Sequence, residues 1–151
     1  MQGHFEKDIA IQKPPEQVYN LINHPQQIVG LQPLIASVEI KNETTNHQGQ
    51  QIYDFVSFEN VKFMGFIPVQ NRIETHMILA NPPYEFQQTG KTGAGITLTQ
   101  TVLLEALDDY TKVTNCIDYD APWYIFPYVQ FEINNAHTKW LEILKSRAES
   151  N

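Results

Sequence analysis

Ala121 to Ser150 reads Ala-Pro-Trp-Tyr-Ile-Phe-Pro-Tyr-Val-Gln-Phe-Glu-Ile-Asn-Asn-Ala-His-Thr-Lys-Trp-Leu-Glu-Ile-Leu-Lys-Ser-Arg-Ala-Glu-Ser. From Phe126 the apolar residues Val129, Ile133, Ala136, Trp140 and Leu144 follow at steps of three and four, which is helical spacing. Phe126, Val129, Ile133, Trp140 and Leu144 share one stripe, and His137 falls inside it. Asn135, Lys139, Glu142 and Ser146 lie opposite. The spacing predicts a helix over about Phe126 to Glu149. Such a helix runs more than about 30 Å and needs a broad apolar surface to lie on. Pro127 must sit in its first turn or kink it.

The rest of the chain reads as the source of that surface. His4 to Gln12 alternates, with Phe5, Ile9 and Ile11 on one side and Glu6 and Asp8 on the other, as in a strand. Lys13-Pro14-Pro15 stops it. Pro15 and Glu16 suit a first helical turn. Val18, Leu21 and Ile22 make a short amphipathic helix ending near His24-Pro25. A second short helix or turn covers Gln26 to Leu31, before Pro33. A long antiparallel run follows. It takes in Leu34 to Lys41, then a polar loop from Asn42 to Gln50, then Ile52 to Phe58, a strand apolar on both sides. Ile67 to Leu79 alternates clearly, with Gln70, Arg72, Glu74 and His76 on its outer side. Asn81-Pro82-Pro83 turns the chain into a strand opened by Tyr84 and Phe86. Gly90 to Gly95 turns it again, ahead of Ile96 to Leu104. Asp108-Asp109 leads to a last strand through Val113, Ile117 and Tyr119. A meander with one apolar and one polar face needs a cover. The C-terminal helix is the only element long enough.

Composition narrows the function classes. The chain has 151 residues, 17 acidic against 10 basic, for a net charge of −7. That length reads as a single domain over 1–151. The basic residues are scattered, with no two adjacent, so no stripe for nucleic acid and no Lys/Arg-rich interfacial helix is present. No stable membrane insertion is expected, and the polar start, Met1 to Asp8, does not read as a signal peptide. The cytoplasm is the expected compartment. Cys116 is the only cysteine. It can form no internal disulfide and cannot build a zinc site. His4, His24, His47, His76 and His137 show no metal-ligand spacing, so no metal is expected, and nothing calls for a cofactor.

Several polar residues fall on inward strand registers. Asn71 lies between Val69 and Ile73. Gln88 follows Tyr84 and Phe86. Gln100 lies between Leu98 and Val102, and Asn115 between Val113 and Ile117. Burying an amide without a partner costs roughly 1–3 kcal/mol. Together with His137 these residues point to an interior that is partly wet or holds a polar ligand group. The alternative is a structural network that satisfies itself. No carboxylate sits on a clear inward register. Thr89-Gly90-Lys91-Thr92 lacks the upstream glycine of a phosphate loop and reads as a hairpin turn. Trp123, Tyr124, Phe126, Tyr128 and Phe131 crowd the start of the long helix. They fit an aromatic mouth to a cavity, or helix-to-sheet packing, or a dimer contact.

The order of elements, with particular motifs, resembles the START-related helix-grip superfamily, which has the birch-pollen-allergen fold. Within it the chain looks most like the polyketide cyclase/dehydrase and lipid-transport group. The motifs are Ile9-x-Ile11, Pro14-Pro15-Glu16-x-Val18-Tyr19-x-Leu21-Ile22, Asn81-Pro82-Pro83 before a strand, Thr111-x-Val113-Thr114, and Leu141-x-x-Leu144-Lys145. The resemblance implies an α+β fold in which a curved antiparallel sheet of about seven strands wraps a long C-terminal helix. It also implies two short helices after the first strand and a hollow between sheet and helix. The function expected first is binding or transport of a hydrophobic small molecule: a lipid, an isoprenoid or a polyketide-like compound. The alternative is a cyclase/dehydratase of the aromatase/cyclase type, with His137 as the candidate general acid/base and Asn71, Gln100 or Asn115 orienting a carbonyl. A third class is an interaction module with a filled core. The expected cavity lining is Ile73, Leu98, Val102, Ile117, Ile133 and Trp140. The wider ligand-binding set adds Asn71, Gln88, Gln100, Asn115, Tyr119, Trp123, Phe126 and His137.

Overall fold

A computed structural model describes residues 1–63 and 65–150. Seven strands form one antiparallel sheet in the order β1-β7-β6-β5-β4-β3-β2. They are β1 (Gln2–Ile11), β2 (Ile35–Thr45), β3 (Gln51–Phe63), β4 (Ile67–Asn81), β5 (Glu85–Thr92), β6 (Thr97–Leu107) and β7 (Tyr110–Asp120). Two short helices follow β1, α1 (Pro15–Tyr19) and α2 (Ile28–Leu31), with a 3-10 turn at Pro25–Gln27 between them. The long helix α3 spans Phe126–Glu149. This is the α+β, helix-grip architecture expected from the sequence. No helix among the described residues is long and apolar enough to cross a membrane.

The strand periodicity does the folding work. In β7, Thr111, Val113, Asn115, Ile117 and Tyr119 are all buried, while the residues between them are not. The pleat sends alternate side chains to opposite faces, so this row points at α3. The α3 stripe meets it with Phe126, Val129, Ile133, His137, Trp140 and Leu144. Pro127 lies in the first turn, where its missing N–H costs nothing. The far end of the helix is tied to β1. Lys145 Nζ donates to the Ala10 carbonyl at 2.5 Å, and Glu149 accepts from the Gln12 N–H at 2.9 Å.

Four boundaries differ from the sequence reading. The polar run after Lys41 stays in β2 as far as Thr45. β2 is an edge strand with two register shifts, and its residues from Asn42 to Thr45 are all exposed, so this end needs no apolar alternation. β3 runs from Gln51 to Phe63, beyond the expected Ile52 to Phe58. The second short helix is a 3-10 turn followed by α2, and α2 is itself kinked where Val29 takes ψ 118° and Gly30 φ +93°. Gly90 belongs to β5 and not to the turn. It faces inward, where an added Cβ would stand 3.3 Å from Ile73 Cγ2.

Two buried clusters fill the space under the sheet. The larger joins α1, α2 and the C-terminal half of α3, with Ile11, Val18, Phe86, Val102, Trp140 and Leu144. The smaller sits at the start of α3, with Ile117, Tyr119, Ala121, Phe126, Val129 and Ile133. Tyr119 stacks on Phe126 and lies over Gly3, where a Cβ would come within 2.3 Å of its ring.

Two substitutions test this packing by urea denaturation. Leu144→Ala, in the fully buried core, is expected to cost about 2–5 kcal/mol through lost contacts and a new cavity. Gly3→Ala is expected to cost about 1–3 kcal/mol, because the Tyr119 ring must shift. An unchanged midpoint for Leu144→Ala would show that α3 is not seated as described.

Candidate functional site

The two clusters do not meet along the whole helix. Between them lies a cavity of ≈ 180 Å³, bounded by α3 on one side and β3 to β6 on the other. Ile28, Gln32 and Leu34 close it at the β2 edge. Phe55, Ile73, Leu98 and Ile133 give it apolar walls. Gly90 keeps the floor low, since any side chain there would press on Ile73. The volume lies below the roughly 300–1,000 Å³ typical of pockets for drug-sized ligands.

A chain of polar side chains runs from this cavity into the sheet. Gln88 Nε2 donates to Gln100 Oε1. Gln100 Nε2 donates to Asn115 Oδ1 at 2.8 Å. Asn115 Nδ2 lies 3.3 Å from His137 Nδ1. An amide nitrogen can only donate, so His137 Nδ1 accepts and the ring proton sits on Nε2. The register explains the alignment. Gln88 and Gln100 are directly paired across β5 and β6. Asn115 lies two residues along β7 from Ile117, the partner of Gln100, and stands opposite Val102 on the same face. Gln100 and Asn115 are fully buried and His137 is 4% exposed. Burial disfavours the charged imidazolium and pushes the His137 pKa down to about 4. The ring is therefore neutral at pH 7. Gln88 Oε1 is buried without a partner.

The residues expected in the site divide into three groups. Asn71, Ile73, Gln88, Leu98, Gln100, Ile133 and His137 line the cavity. Asn115 stands behind them and reaches the cavity through His137. The others do not line it. Val102 and Trp140 lie in the larger cluster, where α1 and the second half of α3 fill the space. Ile117, Tyr119 and Phe126 pack in the smaller one. Trp123 is 77% exposed and stacks edge-on against Tyr124 at 5.8 Å. Of the aromatic group near the helix start, Tyr128 alone lines the cavity. Cys116, on the outer face, contacts Glu6 at 3.3 Å, and burial first, then that carboxylate, push its thiol up to about 11. Such a thiol is protonated and unreactive at neutral pH.

The sequence offered no carboxylate on a clear inward register, yet two reach the cavity. Glu59 and Glu132 both line the cavity. Glu59 Oε1 accepts from Asn71 Nδ2 at 3.3 Å, directly across β3 and β4. Burial holds its pKa above the usual carboxylate range, against the Asn71 hydrogen bond, and nearby Glu132 adds to the rise. Glu59 was hidden because its strand is apolar on both sides. Val56, on the opposite face, is also buried, in a trough lined by Lys41, Arg72 and Glu74. Glu132 carried a readable signal, since it falls three and four residues from Val129 and Ala136 on the buried side of α3. No group of three metal-ligating side chains occurs among the described residues.

No family model and no curated protein sequence matches this chain. Solved structures match it over nearly its full length. The di-domain ARO/CYC protein BexL, from the BE-7585A biosynthetic pathway, aligns at a TM-score of 0.77 and 14% identity, covering 99% of this chain. This chain spans 51% of BexL, about half its length. The Zhui aromatase/cyclase from Streptomyces sp. R1128 aligns at 0.76 and 14% identity, over 99% of this chain and 94% of that one. A START superfamily protein from Mycobacterium smegmatis aligns at 0.72 and 14% identity, over 97% of each chain. At these identities the likeness is one of fold. With its seven-stranded sheet, its long terminal helix and these neighbours, the chain has the START-like helix-grip fold.

Proposed function

We propose that this chain binds a compact apolar molecule in the cavity between α3 and the sheet, with an oxygen of the ligand accepting from His137 Nε2. One observation carries the reading. His137 is buried and lines the cavity, and with its Nδ1 held by Asn115 the Nε2–H is the ring donor left without a partner among the described residues. A neutral imidazole needs partners for both nitrogens. The apolar walls supply burial for the rest of the ligand, at about 25 cal/mol for each Å² removed from water. The volume favours a molecule of one ring, or the buried end of a longer lipid, isoprenoid or polyketide-like compound.

Cyclase-type chemistry is the second reading. It draws support from the aromatase/cyclase neighbours and from two titratable groups, Glu59 and His137, in one cavity. A general base works best with a pKa near the operating pH. His137, at about 4, is far below that. Asn71, Gln100 and Asn115 each already commit one amide donor, to Glu59, Asn115 and His137 respectively, which weakens the case for a carbonyl-orienting role. Binding therefore leads.

Titration calorimetry with acetophenone and ethylbenzene tests the reading. Both should bind, and acetophenone more tightly. His137→Leu should weaken acetophenone by about 1–2 kcal/mol, one buried hydrogen bond, and leave ethylbenzene nearly unchanged. Failure of both compounds to bind the unmodified protein would overturn it.

The neutral ring also makes a stability prediction. The His137 pKa falls from 6.5 to about 4 on folding. Between those values the unfolded chain binds more protons, so stability is present above pH 6.5 and is lost as pH falls towards 4. The loss from this group is about 3 kcal/mol. Urea melts at pH 7 and pH 4 should show the gap in stability between the unmodified protein and His137→Gln narrowing by that amount at the lower pH. A pH-independent gap would mean that the ring titrates normally.

A further inference from the structure

The charge inside the cavity is one-sided. Among the described residues its lining includes two carboxylates, Glu59 and Glu132, and no Lys or Arg. Neither carboxylate takes part in an ion pair among the described residues. Glu59 is held from one side only, by Asn71. Glu132 stands one helical turn after Tyr128, and both line the same wall. Residues four apart on a helix are neighbours, at about 5–6 Å between Cβ atoms. Two acceptor groups thus lie near one aromatic ring in the cavity wall. Gln88 Oε1, a buried acceptor without a partner, belongs to a residue of the same lining. An unsatisfied buried acceptor points, independently of the carboxylates, to a guest that donates hydrogen bonds.

We propose that the ligand of this cavity carries a protonated amine, seated between Glu59 and Glu132 against the ring of Tyr128, with its apolar body lying over Ile73 and Leu98. This rests on the cavity being a binding site and names the chemical class of its ligand. An ammonium has three N–H donors and no acceptor. Two can reach the carboxylates, and the charge lies favourably over an aromatic face. An anionic ligand, such as a fatty acid or a phosphate-bearing lipid, meets two like charges and no cation in the same place. The net charge of −7 adds a long-range pull on cations towards the protein.

Three probes with one phenylethyl body separate the cases: ethylbenzene, 2-phenylethylamine and 3-phenylpropionate. Calorimetric titration at pH 7 and low salt should show the amine binding roughly tenfold more tightly than ethylbenzene, and the carboxylate more weakly than either. Replacing both carboxylates (Glu59→Gln with Glu132→Gln) should bring the amine down to the ethylbenzene affinity and leave ethylbenzene unchanged. Retained ethylbenzene binding shows that the variant still has its cavity, and the comparison in the unmodified protein needs no variant. If ethylbenzene binds and the amine is no tighter, or the carboxylate is as tight, the amine assignment is overturned while the binding site stands. If none of the three binds, the cavity is not a binding site, and both readings fall together.

Discussion

One helix must cover a sheet that is too wide for it. Seven strands at about 4.8 Å spacing span about 29 Å, while a helix with its side chains is about 10–12 Å across. The sheet reduces the mismatch by curving, and α1 and α2 fill one end, where Ile11, Val18, Leu31 and Trp140 form a continuous core. Nothing comparable fills the stretch opposite Val129 to His137. The cavity is what one helix leaves over, and its location follows from where the short helices stop. Gly90 preserves it, and the small side chains of Ser57 and Ala136 line it without occupying it.

The polar chain from Gln88 to His137 crosses this arrangement at its middle. Each buried amide in it passes its donor to the next acceptor, so Gln100 and Asn115 are satisfied without water. A satisfied network of this kind is close to neutral for stability, whereas an orphaned buried group costs about 1–3 kcal/mol. The network therefore resists the loss of any member, and its buried unpartnered atom among the described residues is Gln88 Oε1. Asn115 fixes the tautomer of His137 from behind. The sheet thereby decides which nitrogen of this α3 side chain carries the proton.

The carboxylates add a different constraint. Glu59 faces a medium in which an anion is poorly solvated, and burial raises its pKa accordingly. Glu132 shares that wall, and the Tyr128 hydroxyl is pushed up too, by burial first and then by the two acids. Like charges in a common cavity are costly unless something positive joins them. The fold supplies no such group there, although the outer face of the same strands carries Arg72, Lys41 and Lys91. The solvated side of the sheet resembles an ordinary protein surface; the unusual electrostatics are confined to the interior.

The sequence by itself determined the layers. Steps of three and four from Phe126 to Leu144 and alternation in β4, β6 and β7 each report a local geometry, and these repeats survive into the folded chain because one face of each element is buried. The inward amides and His137 were legible for the same reason, since they interrupt a periodic apolar row. What only the tertiary structure decided is which inward residues meet packing and which meet space. Val102 and Gln100 have the same facing two residues apart, yet Val102 lies under α1 and Gln100 borders the cavity. Glu59 shows the limit most clearly. Its strand has buried residues on both faces, Phe55 and Ser57 within and Val56 without, so no alternation survives to assign a side. Register against β4 assigns it, by setting Glu59 opposite Asn71, and register is a property of two strands together that neither sequence carries alone.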